Sequence, residues 1–277
     1  MSVVALASAK GSPGVTTLAV ALASWWPRPS IVIEADPAGG DLAARLALPE
    51  EPGLVSLAAA HRRRSIAASA KATLLEPFVQ ETAAGIRAVV APASPRQIVA
   101  ALGLIPEAAP PLAPRGTDLL VDIGRMSEPG VGARGATNRI ALAANAEVWV
   151  WVCRPQLADL AHLAAALQDP NAADRNQTIV LVGEGPYPSD EVAETLGVTV
   201  LGRLPADPAG AAALWAGETK RWRRSILGRA SKDLAAALVP TLHPGEETVV
   251  NRADDLGASR PEAPDQGHAT VPIGGGR

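Results

Sequence analysis

The sequence predicts an α/β fold, a mainly parallel sheet with helices on both faces, and three observations predict it. Short apolar runs rich in β-branched residues alternate with longer helical patterns, the order that builds strand–helix–strand units rather than hairpins. The strand candidates are apolar at nearly every position, as strands covered on both faces must be. The first strand candidate runs into a loop of small residues and out into a helix, so flexible backbone and a helix N-terminus arrive at one point.

Taken in order, Val3–Ala7 reads as a buried strand and Thr17–Trp26 as a helix ended by Pro27 and Pro29. Ser30–Glu34 is the second strand, followed by a turn, Ala35-Asp36-Pro37-Ala38-Gly39-Gly40, and a helix from Asp41 to Leu46. Leu54–Ala70 reads as an Ala-rich helix, with Arg62, Arg63 and Arg64 on a solvated face. Gly85–Ala91 is a strand, Pro95–Leu102 a helix, and Ile105–Gly116 a Pro-rich loop. Thr117–Arg125 holds a strand that reaches Asp122 after an apolar run, and Arg139–Asn145 closes a helix. Glu147–Cys153 is a strand with Trp149 and Trp151 on one face, a packing surface. A helix over Gln156–Leu167, strands over Thr178–Gly183 and Val198–Leu201, a helix from Asp207 to Trp215 and a last helix over Arg221–Leu238 complete the domain, 1–240. The remainder, 241–277, is rich in Gly, Pro, Asp and Glu and is expected to be disordered.

The composition supports a large core, since 48% of the 277 residues are hydrophobic, but with 3% aromatic residues that core must be built from Ala, Leu and Val. A net charge of −3 argues against wholesale nucleic-acid binding and leaves room for a local basic patch. The lone cysteine, Cys153, forms no internal disulfide, which fits a reducing cytoplasm, and the four histidines show no ligand spacing. No basic leader precedes the first apolar run, and no apolar run reaches the ~20 residues of a membrane span. The expected location is cytoplasmic.

The chemistry lies in Ala9-Lys10-Gly11-Ser12-Pro13-Gly14-Val15-Thr16-Thr17. Glycines admit an anion close to the backbone, the following helix aims free N–H groups at it, and the Thr16 hydroxyl is placed to ligate Mg²⁺. This stretch resembles the deviant Walker loop of the ParA/MinD family of partitioning and positioning ATPases, K-G-G-x-G-K-[ST]-[ST]. Lys10, Gly11, Gly14, Thr16 and Thr17 match it, whereas Ser12 and Val15 depart from it, Val15 standing where the phosphate-binding lysine would be. Asp36-Pro37 and Gly39 match the family's D-x-D-P-x-G, with Glu34 in place of its first Asp. Asp122 ends a strand similar to the family's Walker B strand, and Gly202–Asp207 is similar to its G-x-[IL]-P-x-D segment.

The resemblance implies a three-layer P-loop NTPase fold that binds ATP and Mg²⁺. Residues 10–17 would hold the phosphates, Pro205 and Asp207 would flank the base, and Thr16 and Asp122 would hold the metal. Asp36 would orient the attacking water, and Lys10 would reach a partner's phosphates in a nucleotide-dependent homodimer. The missing lysine implies weakened affinity and hydrolysis, and a lysine restored at Val15 is expected to raise affinity. Such a protein would be a nucleotide switch in partitioning, positioning or assembly of a bacterial apparatus, docking an as yet unspecified protein partner. The other reading is a degenerate, non-hydrolysing interaction subunit of a secretion, pilus or partitioning assembly. A metabolic P-loop ligase is a weaker reading, since no further substrate motif is present. Non-specific DNA binding would fall to the basic stretch containing Lys220, Arg221, Arg223 and Arg224, in which Lys220, Arg223 and Arg224 share a helical face. The Gly- and Pro-rich end of the chain lacks an apolar helical face, so stable membrane attachment is not expected.

Overall fold

Alternation along each strand sends side chains to opposite faces, and here both faces are apolar. In β1 (Val3–Ser8), Val3, Ala5 and Ala7 enter one buried cluster while Val4 and Leu6 enter the other. The computed structural model describes residues 2–11, 13–66, 74–105, 113–126, 142–143, 145–168 and 175–243. Ser12, most of the helix expected over 139–145, and the chain from 244 onward lie outside the described residues.

The strands are β1, β2 (Ser30–Glu34), β3 (Gln80–Glu81), β4 (Arg87–Val89), β5 (Asp118–Arg125), β6 (Val148–Cys153), β7 (Gln177–Val182) and β8 (Val200–Leu204). They form one eight-stranded sheet in the order β3-β4-β2-β5-β1-β6-β7-β8, parallel throughout except at the β3 edge. On one face lie α3 (Leu54–Ile66), α4 (Pro95–Leu102), α5 (Leu157–Leu167) and α6 (Ser189–Leu196), burying Leu57, Ile98, Leu163 and Val192. On the other lie α1 (Val15–Ala23), α7 (Pro208–Trp215), α8 (Thr219–Arg224) and α9 (Ile226–Leu242). A short α2 (Leu42–Arg45) follows β2. The expected three layers are present.

Differences from the sequence reading have local causes. The last helix is two helices. Ser225 leaves helical geometry at ψ 160° and its hydroxyl accepts the Gly228 N–H at 2.9 Å, capping α9. Helix α9 runs on through Pro240 to Leu242. Helix α6 was not expected because Val192 is its one buried residue, yet it carries Asp190 and Glu191 in its first turn and ends at a left-handed Gly197. The edge pair of β3 and β4 is antiparallel and short, and β4 occupies only Arg87–Val89 of the strand expected over Gly85–Ala91.

At the end of the sheet away from the glycine loop sits a buried carboxylate. Asp118 Oδ1 accepts the Ser2 N–H at 3.0 Å, and Oδ2 accepts Trp26 Nε1 and His243 Nε2, each at 3.0 Å. Arg28 Nε completes the set at 3.2 Å. Burial works against the charged carboxylate, but these hydrogen bonds hold Asp118 below its ordinary value of 3.8.

Candidate functional site

The glycine loop owes its path to two left-handed residues. Gly11 has φ +70° and Gly14 has φ +104°, a region that costs an L side chain roughly 1–2 kcal/mol. Gly14 is the N-cap of α1, and its carbonyl accepts the Leu18 N–H at 2.9 Å. The helix therefore starts at Val15, two residues earlier than expected, and its first free N–H groups face the loop.

Register places the acidic residues at the same end of the sheet. β2 and β5 are adjacent and parallel, Glu34 lies opposite Asp122, and Ala35 N–H donates to the Asp122 carbonyl at 2.8 Å. Asp122 is fully buried. Its Oδ1 accepts the Gly124 N–H at 2.9 Å, and the Thr16 side chain hydrogen-bonds the carboxyl group. Its Oδ2 has no hydrogen-bond partner among the described residues. Burial, reinforced by the negative charges of Asp36 and Glu34, pushes Asp122 up to about 7. An unpaired carboxylate oxygen beside a threonine hydroxyl fits Mg²⁺, which takes one or two protein oxygens and keeps waters and phosphates for the rest.

Asp36 follows directly. Its Oδ1 accepts the Ala38 N–H at 2.8 Å. Its carboxylate rests on Gly124, where an added Cβ would lie 2.0 Å from Asp36 Cγ. Gly124 has φ +68°, so Ile123-Gly124-Arg125, which departs from the resembled pattern, makes the seat for Asp36.

Glu34 does different work. Its Oε1 accepts the Asp41 and Leu42 N–H groups at 2.6 and 2.9 Å, and Oε2 accepts the Ala91 N–H at 2.9 Å. Burial raises its carboxyl despite those three donors. Glu34 thus ties the end of β2 to α2 and to the segment after β4. Gly40 lets the chains meet there, since a Cβ would lie 2.2 Å from the Ala91 carbonyl oxygen.

Lys10 is exposed, and its Nζ donates to His162 Nε2 on α5 at 2.9 Å, so it points outward over the β6 side of the loop. Val15 is buried with Leu18 and Leu22 beneath α1, so the position that the resembled loop gives to lysine is filled as core. On the opposite flank, Pro13, Gly14, Thr17, Val182, Leu204 and Pro205 line a cleft of about 190 Å³ that Asp207 also borders. Asp207 caps α7 by accepting the Gly210 N–H at 2.8 Å, which holds its carboxyl below the ordinary value. The turn after β7 is pinned by Arg203, which donates to the Gly183 and Tyr187 carbonyls at 3.2 and 3.1 Å.

The basic stretch is divided. Arg223 lies over the Trp25 ring at 4.8 Å, with Lys232 at 5.4 Å from the same ring, and Trp222 is buried with Nε1 donating to Ser24 Oγ. Lys220, Arg221 and Arg224 instead line a separate cavity of about 670 Å³ with Asp207 and Ser225. The shared face expected for Lys220, Arg223 and Arg224 is therefore not formed as one surface.

Sequence reasoning missed Gly124 as the seat of Asp36 and the role of Glu34.

A mainly parallel sheet with β5 and β6 flanking β1, and a glycine loop leading from β1 into α1, is the P-loop NTPase fold. Within that class the chain has the fold of MinD and ParA. It is similar to the cell division ATPase MinD of Pyrococcus furiosus at 17% identity and TM-score 0.65, covering 85% of this chain and 97% of that one. It is similar to the septum site-determining protein MinD of Pyrococcus horikoshii, solved with Mg-ADP, at 18% identity and TM-score 0.63, covering 84% and 94%. A ParA family ATPase from Chlorobium tepidum matches at 18% identity and TM-score 0.59, covering 85% and 97%. No protein-family model and no curated protein matches the sequence. No helix among the described residues is long and apolar enough to cross a membrane.

The elevated Asp122 sets a pH dependence. A group whose folded value, about 7, exceeds its unfolded value, 3.8, gives stability that is full below the unfolded value and lost as pH rises through the folded one. Asp122→Asn removes that loss. In thermal melts without Mg²⁺, the variant is expected to gain on wild type as pH rises from 5 to 8, and a gap that does not widen would contradict the assignment.

Proposed function

We propose that the protein is an ATP-binding switch of the MinD/ParA type, acting in partitioning, positioning or assembly of a bacterial apparatus. The observation that carries this reading is the buried Asp122 carboxylate, with an unpartnered oxygen, hydrogen-bonded to Thr16 at the start of the loop-capped helix. Residues 10–17 bind the phosphates through backbone N–H groups and the helix dipole. Thr16 and Asp122 hold Mg²⁺, which when bound neutralises phosphate charge. The base sits in the cleft bordered by Pro205 and Asp207. Asp36 positions the attacking water, and exposed Lys10 faces the partner in a nucleotide-dependent homodimer. Hydrolysis is weak, because phosphoryl transfer depends on fixed positive charge and the loop lysine is replaced by valine.

The burial of Val15 favours a second reading, an interaction subunit that does not hydrolyse ATP. Thermal melts and light scattering with Mg-ATP separate the two. The switch gains several degrees of melting temperature at millimolar Mg-ATP and doubles in mass, because a ligand bound only by the folded state stabilises it. Asp122→Ala abolishes both responses. An unchanged melting temperature and mass in wild type would leave the second reading in place.

A further inference from the structure

We propose that Arg154 is a phosphate-binding residue that replaces the missing loop lysine; this rests on the nucleotide reading above. Parallel pairing of β1 with β6 matches Leu6 to Val150 and Ala7 to Trp151. Continued three residues further, that register brings Arg154 level with Lys10 at the mouth of the loop. Its Nη1 lies 3.8 Å from the point a Cβ on Gly11 would occupy, the nearest atom to that point. The guanidinium thus stands beside the loop backbone at Gly11.

The backbone of Arg154 is fixed. Its carbonyl accepts the Gln156 N–H at 2.8 Å and the Cys153 thiol at 3.2 Å. The next residue is pressed onto the neighbouring loop, with the Pro155 carbonyl oxygen 2.1 Å from where a Gly185 Cβ would stand. The Arg154 side chain is exposed at the loop.

Charge is distributed accordingly. Carboxylates Asp36 and Asp122 lie on the β2 and β5 side, where a cation belongs, and Arg154 lies on the β6 side. Lys10 does not fill the vacancy left by Val15, being directed at His162, and Val15 is core. A guanidinium gives planar paired donors suited to phosphate oxygens, so a residue from the neighbouring strand restores the charge that the loop lacks.

The test is calorimetric titration of wild type, Arg154→Gln and Arg154→Lys with Mg-ATP, Mg-ADP and AMP. Loss of a charged hydrogen bond to phosphate predicts about ten- to a hundredfold weaker Mg-ATP binding by Arg154→Gln. Mg-ADP weakens less, AMP stays within about twofold, and Arg154→Lys recovers part of the loss, as expected when only the terminal phosphates are read by a cation. Wild-type affinity for Mg-ATP in Arg154→Gln, or an equal loss for AMP, overturns the role of Arg154 while leaving nucleotide binding intact. A wild-type protein that binds neither Mg-ATP nor Mg-ADP overturns the nucleotide reading and the arginine with it.

Discussion

Gly124→Ala is expected to unseat Asp36. The new Cβ would stand 2.0 Å from Asp36 Cγ and 2.2 Å from Oδ2, so the carboxylate must swing away and release the Ala38 N–H. The backbone at φ +68° adds the cost of a left-handed L residue, about 1–2 kcal/mol. Gly116 separates the two effects, since it has φ +76° with nothing within 4 Å of its would-be Cβ. Gly116→Ala should show the backbone cost alone, and Gly124→Ala should exceed it by about 1–2 kcal/mol, the value of one lost hydrogen bond plus steric strain. In an Asp36→Gly background, which also removes the Asp36 Cβ 2.6 Å from that point, Gly124→Ala should cost little more than Gly116→Ala, a coupling read by a double-mutant cycle in denaturant melts. Equal costs for the two glycine variants would mean that Asp36 is not held by Gly124.

Asp118→Ala is expected to be the most destabilising single change. It strips the acceptor from Ser2 N–H, Trp26 Nε1 and His243 Nε2, and leaves Arg28 beside an apolar hole. Breaking a buried charged network by removing one partner costs about 3–5 kcal/mol. In a domain of this size that lowers the melting temperature by roughly 6–20 °C. The sign with pH follows from the depressed folded value. Stability from Asp118 is fully present above its ordinary 3.8 and lost as pH falls through the lower folded value. The gap between wild type and variant, measured by scanning fluorimetry, should hold from pH 8 to 5 and shrink below about 4. A variant that melts within about 2 °C of wild type at pH 7 would show that the four contacts contribute little.

Two kinds of residue behaved differently when read from sequence. The loop, Asp36 and Asp122 were legible because each stands at the end of an apolar run whose direction is fixed by parallel pairing, so order along the chain becomes position on one edge of the sheet. Asp118 was legible only as a strand start, because its partners lie 92, 116 and 125 residues away and no local pattern links them. The split between α8 and α9 was hidden by continuous helix-forming residues, and the break comes from one serine hydroxyl capping Gly228. The basic run could not reveal that Trp25, far upstream, would take Arg223 and Lys232 out of it. Val15 could be seen to lack a charge, but only packing shows that it lies among core side chains.

Ser2 and His243 bind the same carboxylate, so both ends of the folded domain are anchored side by side. Strand β1 then carries the chain six residues, about 20 Å, before the loop begins. Fluorescent tags or affinity handles joined at residues 2 and 243 would therefore emerge together from the rim opposite the glycine loop. The same proximity makes the domain suited to circular permutation, with a short flexible linker bridging residues 243 and 2 and new ends opened at an exposed turn such as Gly85.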